Sequence, residues 1–348
     1  MEVRLLTSPA ELGVYNAWVK SHPEGSLWQS LEWKRFQEAL GRDVRIYAAM
    51  ENDQIAASAL VVIDRTSFGL STWEIPRGPL MSEKLKVKSE KLLEQIMQDA
   101  KKERCLSLYL SPSTDQFFTF HFSLFTASGR HVYPEATRVI DLTLNDDALL
   151  AQMKPKGRYN IRLAEKHGVR VEASPDIDAF SALMKETADR DGFRPSGART
   201  YLRFLEQLPQ SFLLLAFQPP ENNEKRPAEG LKDSAKSGEP QRPVAGLLGV
   251  IWGSTGIYYY GGSSKAHREL MAPYLLQWEA IRYCRDHGCT SYDLFGIAPE
   301  GTPDHPWASV SEFKAKFGGN VLTHPPEQEI ILRPLTKALL TLKRRILG

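Results

Sequence analysis

Apolar and polar residues alternate along this chain with two periods, and the order in which those periods occur is repeated. In IYAAMENDQIAASALVVI (Ile46–Ile63) two apolar runs flank Asn52-Asp53, which predicts a β-hairpin. STWEIPRGPLM (Ser71–Met81) has strand character. KSEKLLEQIMQDAKKE (Lys88–Glu103) carries Leu92, Leu93, Ile96 and Met97 at helical spacing, and CLSLYL (Cys105–Leu110) is a short buried strand. The order then returns. SFLLLAF (Ser211–Phe217) and VAGLLGVIWG (Val244–Gly253) predict a hairpin, TGIYYYGG (Thr255–Gly262) a strand, Ala272–His287 a helix and TSYDLF (Thr290–Phe295) a strand. Strand–strand–strand–helix–strand twice is an internal duplication of an α/β unit with a mixed sheet.

Other segments fit around the two units. Asn145–Val169 reads as helical and basic, and Asp176–Arg190 and Ala198–Leu208 as helices. Pro219–Pro243 is almost free of large apolar residues and cannot offset its ordering entropy by burial, so it is expected to be a disordered hairpin loop. In PLTKALLTLKRRILG (Pro334–Gly348), Leu335, Leu339, Leu342 and Ile346 share one helical face, with Lys337, Lys343, Arg344 and Arg345 adding positive charge. Docking on the first domain is the commoner use of such a face; contact with an anionic membrane surface is the alternative.

Composition narrows the function classes. With 348 residues, 42% hydrophobic and 25% charged, the chain is an ordinary globular protein with room for two domains. A net charge of +2 means that any polyanion binding comes from local clustering. No apolar run has the length of a membrane span, and MEVRLLTSPAELG has no charged-then-apolar leader. Cys105, Cys284 and Cys289 have neither disulfide nor zinc-site spacing, and the histidines have no ligand spacing. A cytoplasmic protein without metal or cofactor is expected.

The stretch KAHRELMAPYLLQWEAIRYCRDHGCTSYDLFG (Lys265–Gly296) is laid out like the heart of a GNAT acetyltransferase, in which a loop opens a helix and a strand follows. That superfamily holds the CoA pyrophosphate on an Arg/Gln-x-x-Gly-x-Gly/Ala loop, whose small residues let backbone N–H groups approach the phosphates. Here Met271 and Pro273 stand at the glycine positions. Methionine fills the space and proline removes a donor.

Four stretches carry a further resemblance: WQSLEWKRF (Trp28–Phe36), KGRYNIRLAEKHGVRV (Lys156–Val171), YYYGGSSKAHRELMAPYLLQWEAI (Tyr258–Ile281) with YDLFG (Tyr292–Gly296), and FKAKFGG (Phe313–Gly319). Over nearly its whole length the chain resembles the Fem family (FemABX) of peptidyltransferases, in its compact form without a helical arm. The resemblance implies two tandem GNAT-like domains. The first would be 1–145, completed by 322–348; the second would be 146–321. It implies transfer of an amino acid from aminoacyl-tRNA to a side-chain amine of a UDP-linked or lipid-linked peptidoglycan precursor, at the inner face of the membrane. A CoA-dependent N-acyltransferase and a non-catalytic binder of precursor or tRNA are the alternatives.

Lys154, Arg158, Arg162 and Lys166 recur every fourth residue and form one helical stripe, suited to a tRNA acceptor stem or a precursor pyrophosphate if it is not simply a solvated face. By resemblance, Lys34 contacts the precursor diphosphate, and Arg199 and Tyr201 fall where the family places substrate contacts. Strand alternation sends Tyr258 and Tyr260 to one face and Tyr259 to the other, so one of that pair can line the acceptor groove. The family match gives functional weight to Lys314, whose cation can stabilise the negative charge that develops on the ester carbonyl. Phe313 can stack on a terminal base. Asp293, at a strand end, is the candidate general base. Some members of the family place an acidic residue before a proline after the first domain's last strand, where this chain has Leu110-Ser111-Pro112.

Overall fold

The computed structural model describes residues 2–66, 69–82, 89–115, 124–130, 132–219 and 242–347. Residues 220–241, the body of the expected loop, lie outside these, as do His121, His131 and the side chain of Ile346. The chain opens with β1 (Glu2–Leu5), α1 (Pro9–Ser21) and α2 (Leu31–Ala39). A capping box starts α1: Ser8 Oγ accepts from the Glu11 N–H, and the Glu11 carboxylate accepts from the Ser8 N–H. Strands β2 (Asp43–Glu51) and β3 (Gln54–Arg65) form the expected hairpin. Asn52 and Asp53 both have positive φ (48° and 59°), as a two-residue turn with the twist of the flanking strands requires.

The expected strand Ser71–Met81 is two strands, β4 (Ser71–Pro76) and β5 (Leu80–Met81), paired with different parts of β3. Pro76 and Pro79 cannot donate to a ladder, and Arg77 adopts the left-handed region (φ 49°), so the chain turns there. Helix α3 (Ser89–Lys102) then carries the chain to β6 (Cys105–Ser111), which lies parallel to β4. Leu92, Leu93 and Ile96 of α3 are buried with Trp73 against this sheet.

After β7 (Thr126–Ala127) and β8 (Ala136–Asp141) come α4 (Asp146–Gln152), α5 (Pro155–Lys166), β9 (Arg170–Ala173), α6 (Ile177–Asp191) and α7 (Ala198–Gln207). The second unit repeats the plan of the first. β10 (Ser211–Phe217) and β11 (Pro243–Trp252) are antiparallel, β12 (Thr255–Ser263) follows, and α8 (Ala272–Asp286) crosses to β13 (Ser291–Ile297), which is parallel to β12. Leu275, Leu276, Ala280 and Ile281 of α8 share a core with Phe212, Leu214 and Leu247 of the sheet. The chain continues through α9 (Ala308–Lys314), β14 (Asn320–Thr323), β15 (Gln328–Ile331) and α10 (Pro334–Leu347).

The first sheet has the order β1-β2-β3-β4-β6-β15-β7, with β5 on β3; the second runs β14-β8-β13-β12-β11-β10-β9. Strand β15, late in the chain, is thus inserted between β6 and β7 of the first sheet. One compact unit comprises 1–137, 296–307 and 322–348, the other 138–295 and 308–321.

Candidate active site

Lys314 is the last residue of α9 and is only 6% exposed. The turn after it holds it in place. Gly318 and Gly319 have φ of 81° and 75°, and neither tolerates a side chain. A Cβ on Gly318 would lie 2.8 Å from the Gln152 carbonyl oxygen, and one on Gly319 would run into that of Val139. Arg138 donates to both glycine carbonyls, at 3.2 and 2.8 Å. The end of FKAKFGG is therefore clamped, and the lysine is directed inward, with Nζ 5.5 Å from the centre of the Tyr258 ring. Burial pushes its ammonium down to about 7, against the opposing pull of the Asp293 carboxylate.

Two buried polar residues support the ring under this lysine. Tyr292 Oη donates to Gln277 Oε1 at 2.9 Å, and Gln277 also bonds the Tyr258 hydroxyl, whose burial holds its pKa up at about 12. Gly261 leaves room for that hydroxyl; a Cβ there would collide with it. Parallel pairing sets Ile257 beside Asp293, whose charge reaches the Lys314 ammonium. The Asp293 Oδ1 accepts from the Phe295 N–H at 2.7 Å. Phe295 sits at φ 60°, a strained value for an aromatic residue, held by that bond and by stacking on Tyr259 at 5.1 Å.

The expectation that Tyr258 and Tyr260 share a face is incorrect. The register of β11 against β12 shifts between Leu248 and Gly249, so Gly249 pairs Tyr258 while Leu248 pairs Tyr260. The bulge at Tyr259 inverts the alternation. Tyr258 packs with the α8 side of the sheet, whereas Tyr260 and Tyr259 both meet Phe204 of α7.

Helix α5 begins against the same turn. The Lys154 N–H donates to the Lys316 carbonyl at 3.1 Å, and a Cβ on Gly157 would run into that oxygen. Pro155 suits the first helical turn, where its missing N–H costs nothing. The four cations do not act alike. Lys154, Arg162 and Lys166 are exposed, but Arg158 Nη1 is drawn to the carbonyl of Leu150 at 3.2 Å and to that of Met153, at the C-terminus of α4. Arg158 thus caps a helix end, where a cation is favoured, and is not part of an open stripe. Tyr159, 63% exposed, lies on α5 next to Arg158 and was missed by sequence reasoning. Its position before an i+3 arginine was the available signal.

The sequence profile of the FemAB family matches residues 11–117, 116–217 and 216–343. The chain belongs to the FemAB family. It is 26% identical to the lipid II:glycine glycyltransferase of Staphylococcus saprophyticus, over 95% of this chain and 97% of that one. It is 24% identical to the enzyme of that name from Staphylococcus aureus, over 95% and 94%. The crystal structure of FemX superposes with a TM-score of 0.77 at 22% identity, covering 97% of this chain and 99% of FemX. A tandem GNAT protein from the clavulanic acid pathway superposes with a TM-score of 0.57 at 12% identity, over 96% and 99%. The fold is thus two tandem GNAT-like units with mixed sheets, and this FemAB protein is an aminoacyltransferase.

The remaining sequence candidates fall in other surroundings of the FemAB fold. Lys34, on α2, is ion-paired with Glu38 one turn on. Arg199 is exposed on the first turn of α7. Tyr201 is wholly buried, edge-on to both Phe180 and Tyr260 at 5.1 Å; it packs the helices over the sheet and offers no surface to a substrate. Phe313 is half-buried against Tyr274 (5.1 Å) and Phe317 (5.2 Å), so only part of its ring is available for stacking. Ser111, before Pro112, donates to Glu327 at 3.0 Å, but that carboxylate is buried and bonded to Arg130 at 2.9 Å. At the start of α8, Met271 keeps the left-handed backbone of a glycine (φ 54°) while its side chain packs on the core. Among the described residues no cluster of His, Cys, Asp and Glu could hold a metal ion, and no helix is long and apolar enough to cross a membrane.

Proposed function

We propose that this FemAB protein moves an amino acid from aminoacyl-tRNA to a side-chain amine of a peptidoglycan precursor stem peptide, working at the cytoplasmic face of the membrane. The observation that carries the reading is Lys314, a buried cation with a pKa near neutrality, held over Tyr258 with Asp293 close by. The acceptor amine attacks the ester carbonyl that joins the amino acid to the tRNA ribose. A C–N bond forms, the C–O bond to the ribose breaks, and the amine proton leaves for the ribose oxygen. In this reading the Lys314 ammonium stabilises the oxyanion in between, and desolvation strengthens that interaction. Asp293 favours the charged lysine and relays the amine proton to the ribose oxygen. No covalent enzyme intermediate is required, since the ester is already reactive towards an amine.

Exposed Lys154, Arg162 and Lys166, with Tyr159 among them, supply phosphate neutralisation and a stacking face beside the Lys314 turn. The relatives' names make glycine the first amino acid, and lipid II the first acceptor, to try. The CoA alternative is disfavoured by the start of α8. Met271 fills the position where a small residue would admit a pyrophosphate, and Pro273 lacks an N–H to offer it. Transfer from glycyl-tRNA to a precursor, followed by mass spectrometry of the stem peptide, tests the reading. Product should vanish after RNase treatment of the donor. Continued transfer with acetyl-CoA as the only donor would overturn the proposal.

A further inference from the structure

Helix α10 (Pro334–Leu347) has two unlike sides. Inward, Lys337 is ion-paired with Glu329 of β15, and Arg333, just before the helix, donates Nη2 to the Lys101 carbonyl of α3 at 3.2 Å. Outward, Leu335, Leu339 and Leu342 are 81%, 68% and 55% exposed. At about 100° per residue these three fall within about 60° of one another, so they form one stripe. The expectation that this face docks on the first domain is therefore wrong: polar groups on the other side tie the helix down, and Leu335, Leu339 and Leu342 are left over. Three neighbouring exposed leucines on one helix are a patch that calls for an occupant.

Charge decides between the possible occupants. Residues 334–348 contain Lys337, Lys343, Arg344 and Arg345 and no Asp or Glu, and Lys343 is exposed one residue beyond Leu342. A second copy of this helix would bring like charge against like. A bilayer with anionic headgroups matches both features, accepting the leucines at the acyl boundary and the cations at the phosphates. We propose that α10 is a membrane-docking helix that seats the protein on bilayers rich in anionic phospholipid, with the leucine stripe facing the lipid. Its use, to bring the enzyme to a lipid-linked acceptor, rests on the function proposed above; the docking itself does not.

Co-sedimentation with vesicles of equimolar phosphatidylglycerol and phosphatidylcholine, and of phosphatidylcholine alone, tests this. The protein should partition onto the anionic vesicles, less onto the neutral ones, and be released by salt. The combined variant Leu335→Ser, Leu339→Ser, Leu342→Ser should lower that partition about tenfold or more, with an unchanged thermal melt because the side chains are exposed. Lys343→Glu should weaken binding to anionic vesicles alone. Wild-type protein remaining in the supernatant, or equal sedimentation of the triple variant, would refute the docking helix. So would a concentration-dependent dimer that the triple variant loses, which would mark the stripe as an interface between copies. If vesicle binding holds but no aminoacyl transfer from tRNA is found, the proposed function fails and the docking surface stands.

Discussion

A lysine that is buried and still close to its titration point is the most informative single residue of this protein. Lys314→Ala should lower turnover about 100- to 1000-fold, roughly 3–4 kcal/mol of transition-state stabilisation, while the fold survives. Turnover near wild type in a folded Ala variant would remove the residue from the mechanism. The pH dependence has a definite sign. If the ammonium is the active form, kcat/KM falls as pH rises through about 7. Lys314→Arg, which stays charged, should lack that falling limb in whatever activity it retains. For stability, the unfolded lysine keeps its proton up to about 10.5, whereas the folded one loses it at about 7. In that window the unfolded state binds more protons, so the lysine's contribution makes stability rise with pH. Unfolding midpoints of wild type and Lys314→Met, compared across the window, should differ by this rise. The lysine itself was legible from FKAKFGG; its burial over Tyr258 was not, because burial depends on strands distant in sequence.

At the scale of elements, α5 separates residues that look equivalent as a sequence motif. Arg158→Ala removes a cation from the α4 C-terminus and should cost about 0.5–1 kcal/mol of stability with little change in tRNA affinity. Arg162→Ala and Lys166→Ala should do the reverse. Each should weaken tRNA binding and lower the slope of log affinity against log salt by about 1, read from filter binding at several salt concentrations. Gly157→Ala is predicted to damage both stability and turnover. Its methyl would meet the Lys316 carbonyl, forcing α5 away from the turn that holds Lys314, at a cost of about 1–3 kcal/mol. An unchanged denaturation curve for that variant would mean that the two elements part without loss. The four-residue spacing of the cations was visible in the sequence. Which of them turns back to cap α4 was not, because that depends on where α4 ends.

Across the whole molecule, acid stability gives a further test. His324 lies within hydrogen-bonding distance of the Ser113 carbonyl (3.2 Å), and burial, aided by the Arg77 charge, holds its pKa down at about 4. The unfolded state therefore takes up a proton between about 6.5 and 4 that the folded state refuses, and stability falls as pH drops through that window. His324→Gln should remove on the order of 1–3 kcal/mol of that loss, read by urea unfolding at the two ends of the window. Identical acid sensitivity in the variant would show that other groups carry it. This histidine ties residues late in the chain into the first unit, as β15 does by pairing with β6.

Local patterns determined much of this protein. The repeated strand–strand–strand–helix–strand order, the Asn52-Asp53 turn, the apolar stripe of α3 and the altered start of α8 follow from residues adjacent in sequence or one helical turn apart, where periodicity and turn chemistry act directly. Tertiary structure alone decided the rest. The insertion of β15 between β6 and β7 is a pairing across more than two hundred residues, which no local window contains. The bulge at Tyr259 depends on how β11 registers against β12, and a one-residue slip there sends Tyr258 and Tyr260 to opposite faces. Tyr201 is buried because α6 and the second sheet close over it, and Leu335, Leu339 and Leu342 of α10 are exposed on a helix whose Lys337 is turned to Glu329 of β15. In each case the residue type fixed what a side chain could do, and its neighbours in space fixed whether it does it.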